Sequence, residues 1–385
     1  MTAMHRDMSA AGGNGQPHPA AGERILITGG AGFIGSNVAH RLLAGGQQVL
    51  ILDNLSRPGV EQNLAWLRDL HGKRLEVAVA DVRDRTAVRQ AVDGAHTIFH
   101  FAAQVAVTTS LADPQEDFSI NAQGTLNVLE AARAQAVPPR MLFTSTNKVY
   151  GALGGIGLLR LGNRYQPRSD EVREHGINES QPLDFHSPYG CSKGAADQYV
   201  IDYARAFGLP GVVFRMSCIY GPRQFGTEDQ GWVAHFIIRA MKNQPITLYG
   251  DGMQVRDILF VDDLVDAMLL AVKDAPRLAG KAFNIGGGPA NVISLRDLLD
   301  RLEAMLDRQP EFTLEDWRTG DQRYYVSDFR RFRDLTGWAP SVPPAEGIER
   351  LYRWLQQQHE IKASAAGTLP APRPAAGLPQ PSSLA

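Results

Sequence analysis

The segment Arg24–Thr28 is a short apolar run, RILIT, and it leads directly into Gly29-Gly30-Ala31-Gly32-Phe33-Ile34-Gly35. A buried-strand pattern that enters three glycines at GxxGxxG spacing, then a helical stretch to Leu43, leaves few folds open. A helix N-terminus presents unpaired backbone N–H groups and a partial positive charge, so it attracts phosphate. Gly29 permits the tight turn, Gly32 lets a pyrophosphate approach the backbone, and Gly35 lets the helix pack on the strand. The spacing is one residue longer than GxGxxG, and a plain structural turn can also carry such a triplet. Its place between strand and helix, with Asp53 ending the next strand, points to a dinucleotide site.

The strand pattern recurs at Gln48–Leu52, Leu75–Ala80, Thr97–Phe101 and Arg140–Thr144, with helical patterns between. Such alternation predicts an α/β fold, a Rossmann-type doubly wound parallel sheet. Ser187–Phe207 reads as a long helix, Val212–Arg215 as a strand, and Ser294–Leu306 and Glu346–Leu355 as helices. The expected layout is a tail over 1–22 and a dinucleotide-binding domain over 23–180. Residues 181–360 hold the end of that domain interleaved with a smaller C-terminal substrate-binding lobe. A tail over 361–385 carries five prolines. The tails cannot bury enough apolar surface to offset their ordering entropy. Residues 151–180 form a long insertion, either a lid or binding loop or a solvated surface loop.

Composition narrows the partners. Lys plus Arg number 39 and Asp plus Glu 41, a net charge of −2, which argues against nucleic-acid binding through a generally basic surface. No apolar run approaches the roughly 18–20 residues of a membrane span, and the N-terminal stretch lacks a secretory apolar core. Cys191 and Cys218 make no disulfide framework and have no zinc-like spacing. A reducing, cytoplasmic compartment and no metal are expected.

Asp53 also bears on the cofactor. A carboxylate accepts hydrogen bonds from ribose hydroxyls and repels a 2′-phosphate, which favours NAD over NADP. Phe33, Ile34 and Asn54 flank these positions and belong to the same expected site. Asp81 and Val82, after the third strand, are suited to cap the adenine, although Asp81 also reads as a plain helix cap. Tyr189-Gly-Cys-Ser-Lys193 puts Tyr and Lys on one helix face. A phenol has a pKa of about 10, too high for a base at neutral pH. A lysine ammonium and a positive nicotinamide favour the phenolate. The phenolate then takes a proton from a sugar hydroxyl as hydride leaves the same carbon. Thr146, in Thr144-Ser145-Thr146 at a strand end, positions that oxygen.

With these residues in view, the chain resembles the extended short-chain dehydrogenase/reductases of the sugar-nucleotide epimerase/dehydratase branch, over nearly all of 24–355. His100-Phe-Ala-Ala-Gln104, Asn121-Ala-Gln-Gly-Thr125, Tyr220-Gly-Pro222 and Val255-Arg256-Asp257 add to the likeness. The resemblance implies that Ala102, Ala103, Gln104 and Asn121 line the cofactor. Sugar 4,6-dehydratases of this branch carry an Asp-Glu pair after the threonine. This chain has Asn147-Lys148, so its resemblance favours a redox epimerase. Ser145–Gly151, Leu183–Tyr199 and Asp229–Val233 are most similar to members that invert carbon 2 of a CDP-linked deoxyhexose. An epimerase acting at carbon 4 of a UDP-sugar, another NDP-sugar oxidoreductase and a non-catalytic NAD-binding scaffold remain alternatives. The intact Thr146, Tyr189 and Lys193 set argues against the last.

On the substrate side, Arg256 and Arg323 stand where relatives place diphosphate-binding arginines; surface ion pairs are the other reading. Asn147, Gln230 and Trp232 are candidate substrate contacts, and a core role for Trp232 is equally open. His186 either touches the sugar or is structural. Cys191 is expected to be small packing and His100 structural. The resemblance also implies a homodimer or homotetramer through the Tyr189 helix and the helix near Asn121–Ala134. Ala195, Ala196, Tyr199, Val200 and Tyr203 fit that face or packing within one subunit.

Overall fold

Strand β1 (Arg24–Thr28) sends Ile25 and Ile27 to one face and Leu26 to the other, and all three are buried. β2 (Gln48–Asp53) repeats this: Val49 and Ile51 join the first group, Leu50 and Leu52 the second. Side chains alternate along a strand, so one that is apolar at every position must be covered on both faces. Helices α1 (Phe33–Ala44), Val60–His71 and Val261–Lys273 cover the first face. Arg85–Val92, Gly124–Arg133 and α2 (Pro188–Phe207) cover the second. This computed structural model describes residues 22–367, with the side chains of the last helix described to residue 358.

The sheet is completed by β3 (Leu75–Val79), β4 (Thr97–His100), β5 (Arg140–Thr146), β6 (Gly211–Met216) and β7 (Lys281–Ile285). Its order is β7-β6-β5-β4-β1-β2-β3, with every pair parallel. The order reverses between β1 and β4, which opens a crevice beyond their carboxyl ends. β5 runs two residues beyond the expected Thr144. Ser145 and Thr146 pair with Arg215 and Met216, which brings Thr146 to the rim of that crevice.

The second lobe is built around Val255–Phe260, which pairs with 218–220, 292–294 and 324–325. Helices 232–241, 295–306 and 344–367 enclose its core. Most of the expected tails lies outside the described residues. Residues 361–367, however, continue the final helix rather than starting a tail. Ala363, Ala365 and Ala366 are strong helix formers.

The insertion is not a lid. Residues 158–161 and 164–167 form a hairpin, followed by a helix over 170–175. Tyr165 is buried against Val255, Tyr324 and Val326, and its hydroxyl donates to Asp251 at 2.6 Å. Apolar side chains thus fix the segment to the back of the second lobe, and no described residue of 151–180 lines the cleft.

His100, at the end of β4, joins β1 to the helix that follows. Thr125 donates its hydroxyl to Asn121 O at 2.6 Å, so His100 Nε2 is the donor to Thr125 Oγ1 at 3.0 Å. Nδ1 is then left to accept from Thr28 Oγ1 at 2.6 Å. Burial, then the charge of Lys193, pushes its pKa from 6.5 to about 3. The unfolded chain therefore binds a proton that the folded chain refuses between those values. Stability rises with pH through this window and is lost on acidification, at up to ~1.4 kcal/mol per pH unit from this group. Thermal melts from pH 7 to 4 should show His100→Asn with a shallower pH dependence than wild type; parallel slopes would refute the assignment.

Candidate active site

Gly29 has φ +68°, a left-handed conformation that favours glycine, and a Cβ there would lie 2.7 Å from Ala102 N. A Cβ on Gly35 would lie 2.4 Å from Gly29 O. α1 follows Gly32 with no side-chain cap, so first-turn amides are left for a ligand or solvent. Asp53 is 8% exposed; its Oδ2 accepts Ala31 N at 3.0 Å and its Oδ1 accepts Leu55 N at 2.9 Å. Burial raises its pKa, opposed by these backbone bonds and by Arg57. A glycine cradle that side chains would fill, an uncapped helix start and a fixed carboxylate fit the pyrophosphate and ribose of NAD.

These residues line the inner part of a cleft of about 370 Å³, together with Phe33, Ile34, Asn54, Asp81, Val82, Ala102 and Ala103. Asp81 is not a helix cap. That role belongs to Asp84, which accepts from Thr86 N and Ala87 N. Arg83 hydrogen bonds hold Asp81 down at about 2, and Asn54 Nδ2 donates to it at 2.9 Å. Gln104 and Asn121 do not line the cleft. Gln104 is tied to Ala106 within its own loop. Asn121 accepts from Gln104 N at 2.9 Å and donates to Asp117 Oδ1 at 3.1 Å and Ser192 Oγ at 3.0 Å. Asn121 is a strut behind the cofactor wall, because all its polar atoms are used in joining a loop to α2.

α2 starts cleanly: Ser187 caps it by accepting from Gly190 N, and Pro188 fills the first turn. Tyr189 and Lys193 therefore point from the first two turns into the cleft, 8% and 3% exposed. Thr146 lines the same cleft. Burial pushes Tyr189 up to about 12; Thr146 and Arg57 oppose the rise and Asp117 adds to it. The opposition expected of Lys193 is not what the structure shows, because burial pushes Lys193 itself down to about 7, against Asp197 and Asp117. Lys193 Nζ also lies 4.2 Å from the Phe143 ring centroid. Below it, Asp197 holds Arg215 through two bonds of 2.8 and 2.9 Å.

The outer cleft, about 350 Å³, is lined by Asn147, Gln230, Trp232 and Arg256. Thr146, Tyr189, Cys218, Asp229, Gln230 and Trp232 line both parts, so Thr146 and Tyr189 sit at their seam. Trp232 is half-buried and donates to Cys218 Sγ at 3.3 Å, which makes it cleft wall. Asn147 donates to Gln322 Oε1 at 3.2 Å. Arg256 is held by Asp321 at 2.7 Å. Two expected substrate residues lie elsewhere. Arg323 is exposed and packs over Trp317 and Tyr165, drawn outward by those rings. His186 is exposed and paired with Asp184 at 2.8 Å.

Arg318 occupies the cleft instead, 3.7 Å from the Tyr249 centroid and 3.3 Å from both Glu228 and Asp229. Sequence reasoning also missed Arg57 and Lys148. Arg57 lies four residues after Asp53 on the same loop, and Arg318 just precedes the Gly320-Asp321 turn; these neighbourhoods were the available signals. Cys191 is exposed on the outer face of α2 rather than packed.

The sequence model of the NAD dependent epimerase/dehydratase family matches residues 25–286. CDP-paratose 2-epimerase of Salmonella typhi is 43% identical over 338 residues, 86% of this chain and 98% of that protein. UDP-glucose 4-epimerase of Thermus thermophilus, solved with NAD, superposes with a TM-score of 0.71 at 32% identity. It covers 86% of this chain and 99% of its own. dTDP-glucose 4,6-dehydratase of Streptomyces venezuelae, also solved with NAD, gives 0.75 at 30% identity, covering 88% and 98%.

A charged hydrogen bond contributes about 1.5–3 kcal/mol, or roughly 10–150-fold in affinity. Calorimetry with CDP and UDP should show that loss in Arg318→Ala. Arg323→Ala should change affinity less than about 2-fold. The reverse ranking would return the diphosphate role to Arg323.

Proposed function

The chain belongs to the NAD-dependent epimerase/dehydratase family, and from that premise we propose that it inverts carbon 2 of a CDP-linked deoxyhexose through a transient 2-keto sugar. The observation that carries this is the seam: Thr146 and Tyr189 border both a dinucleotide-shaped inner cleft and an outer cleft bearing arginines. The 43% identity to CDP-paratose 2-epimerase supports the choice of carbon and nucleotide. Asn147 and Lys148, where dehydratases of the branch carry carboxylates, support a reaction without elimination of water.

Bound NAD supplies a reversible hydride acceptor for the sugar carbon. Tyr189 Oη takes the proton of the sugar hydroxyl while Thr146 fixes that oxygen. Asp197 and Asp117 favour a charged Lys193 against its burial, while Thr146 and Arg57 favour the Tyr189 phenolate. The keto sugar then presents its other face at the seam, and Tyr189 returns the proton as the carbon is reduced. Proton and electron pair both go back, so the net change is isomerisation and no outside redox partner is consumed. Arg256 and Arg318 suit the diphosphate, because guanidinium groups bind it bidentately.

Purified protein given CDP-, UDP-, GDP- and dTDP-hexoses in deuterated water should invert carbon 2 of a CDP-deoxyhexose with no solvent deuterium at that carbon. Tyr189→Phe should keep its NAD and lose about 10²–10⁴ in turnover, the range for a positioned acid–base group. Inversion only at carbon 4 of a UDP-sugar, or a fully active Tyr189→Phe, would overturn the assignment.

We also propose a homodimer contact on the outer face of α2, where Tyr199 is 45% exposed; the helix that ends at Phe118, 57% exposed, packs on α2. Ala196, Val200 and Tyr203 are not free for it, since they pack in the subunit's own core. Gel filtration should give a dimer that Tyr199→Glu dissociates; a wild-type monomer would refute the contact. No helix among the described residues is long and apolar enough to cross a membrane, and two free cysteines support a cytoplasmic setting.

A further inference from the structure

Lys148 is a largely buried cation in the outer cleft that none of the steps above uses. It sits two residues after Thr146, on the short turn Asn147–Tyr150. Its amide donates to Thr146 Oγ1 at 3.2 Å, which fixes its backbone beside the reacting pair. Its Nζ donates to the Gly320 carbonyl at 3.1 Å and lies 3.5 Å from Asp321 Oδ1. The same oxygen takes Arg256 at 2.7 Å. Two cations thus share one carboxylate, and the cluster keeps a net positive charge. An ammonium has three donors, so Lys148 retains one after Gly320 and Asp321. Burial lowers the Lys148 pKa and Asp321 opposes the fall, while Arg256 adds to it. A bound anion bridging both cations would relieve that repulsion.

We propose that Lys148 clamps the sugar-proximal phosphate of the nucleotide sugar beside Thr146 and Tyr189, and thereby selects carbon 2 as the carbon that is oxidised. The proposal rests on the nucleotide-sugar reading above. The diphosphate of a nucleotide sugar hangs on carbon 1. Carbon 2 is bonded directly to that carbon, whereas carbon 4 lies across the ring. Were the phosphates held only at Arg318, which pairs with Glu228 and Asp229 away from this cluster, Thr146 and Tyr189 would meet the far side of the sugar. A cation on the turn that carries Thr146 draws the phosphate to the near side, where carbon 2 is presented. Lys148 is in these terms a positioning residue: it moves no proton and fixes which C–H bond faces the cofactor.

The test uses the NAD-loaded enzyme and CDP-paratose deuterated at carbon 2 or at carbon 4, with Lys148→Met and Lys148→Arg. Wild type should show a primary isotope effect on kcat/KM only with the carbon-2 label. Misplacing a reacting atom by about an ångström costs about 10²-fold, so Lys148→Met should lose about that much kcat. Its affinity for CDP, read by calorimetry, should fall less than about 10-fold because Arg256 and Arg318 remain. Lys148→Arg should recover part of the rate. Bound NAD reports whether each variant is folded, and Lys148→Arg carries the comparison if Lys148→Met loses it. Unchanged kcat and KM in the folded variant, or equal losses in CDP affinity and kcat/KM, would overturn the proposal. A wild-type isotope effect at carbon 4 alone would instead remove the carbon-2 reading, and the proposal with it.

Discussion

The helix that carries Tyr189 and Lys193 is pinned to the sheet by Asp197 and Arg215, whose side chains are 0% and 6% exposed. Arg215 reaches on to Tyr150 Oη at 3.1 Å, and Tyr150 donates to Asn284 Oδ1 at 2.8 Å. The network therefore joins α2, β6 and β7. Removing one partner of such a pair leaves a buried charge, at a cost of about 3–5 kcal/mol. Asp197 lies one turn beyond Lys193, and its charge opposes the burial that lowers the lysine pKa. Anchoring the helix and charging the lysine are thus one interaction. Because β6 pairs with β5 through Thr146, the same anchor sets the distance between Thr146 and Tyr189.

Around that anchor the two lobes meet through a loop of the second. Gln230 accepts from Arg57 of the first lobe, while Glu228 and Asp229 pair with Arg318. Arg57 also opposes the rise in the Tyr189 pKa. One loop therefore touches Arg57 in the inner cleft, Arg318 in the outer cleft and, through Arg57, the electrostatics of Tyr189. A substrate that displaces Asp229 from Arg318 would alter all three contacts together.

The central sheet was legible because its strands are apolar at every position, which only a sheet covered on both faces accommodates. Tyr189 and Lys193 were legible because four residues on a helix are neighbours whatever the fold. The glycine turn was legible because backbone contact restricts the residue there. What escaped was set by long-range packing. Arg323 and Arg318 are five residues apart; the rings of Tyr165 and Trp317 hold the first outside, and Tyr249, Glu228 and Asp229 hold the second in the cleft. Tyr165 lies in the insertion, so a segment with weak periodicity settled the fate of an arginine far along the chain. Asn121 was expected on the surface of the cofactor wall and lies one layer behind it, since sequence does not show that Asp117 and Ser192 already hold its amide.

The near-neutral charge of the whole chain now has a local explanation. Three cations of the outer cleft are partnered before any ligand arrives: Arg256 and Lys148 by Asp321, Arg318 by Glu228 and Asp229. Partnering holds guanidinium groups in one orientation, which reduces the side-chain entropy lost on binding. It also means that a diphosphate exchanges with carboxylates instead of meeting bare charge. Asp321 is much less exposed than Glu228 and Asp229, at 20% against 46% and 45% for their side chains. The exposed pair exchanges with little desolvation, whereas Asp321 keeps its cations and shares them. The cleft thus combines a fixed cation cluster next to Thr146 and Tyr189 with a yielding one farther out, which would suit the proposed ligand, whose sugar turns while its nucleotide stays bound.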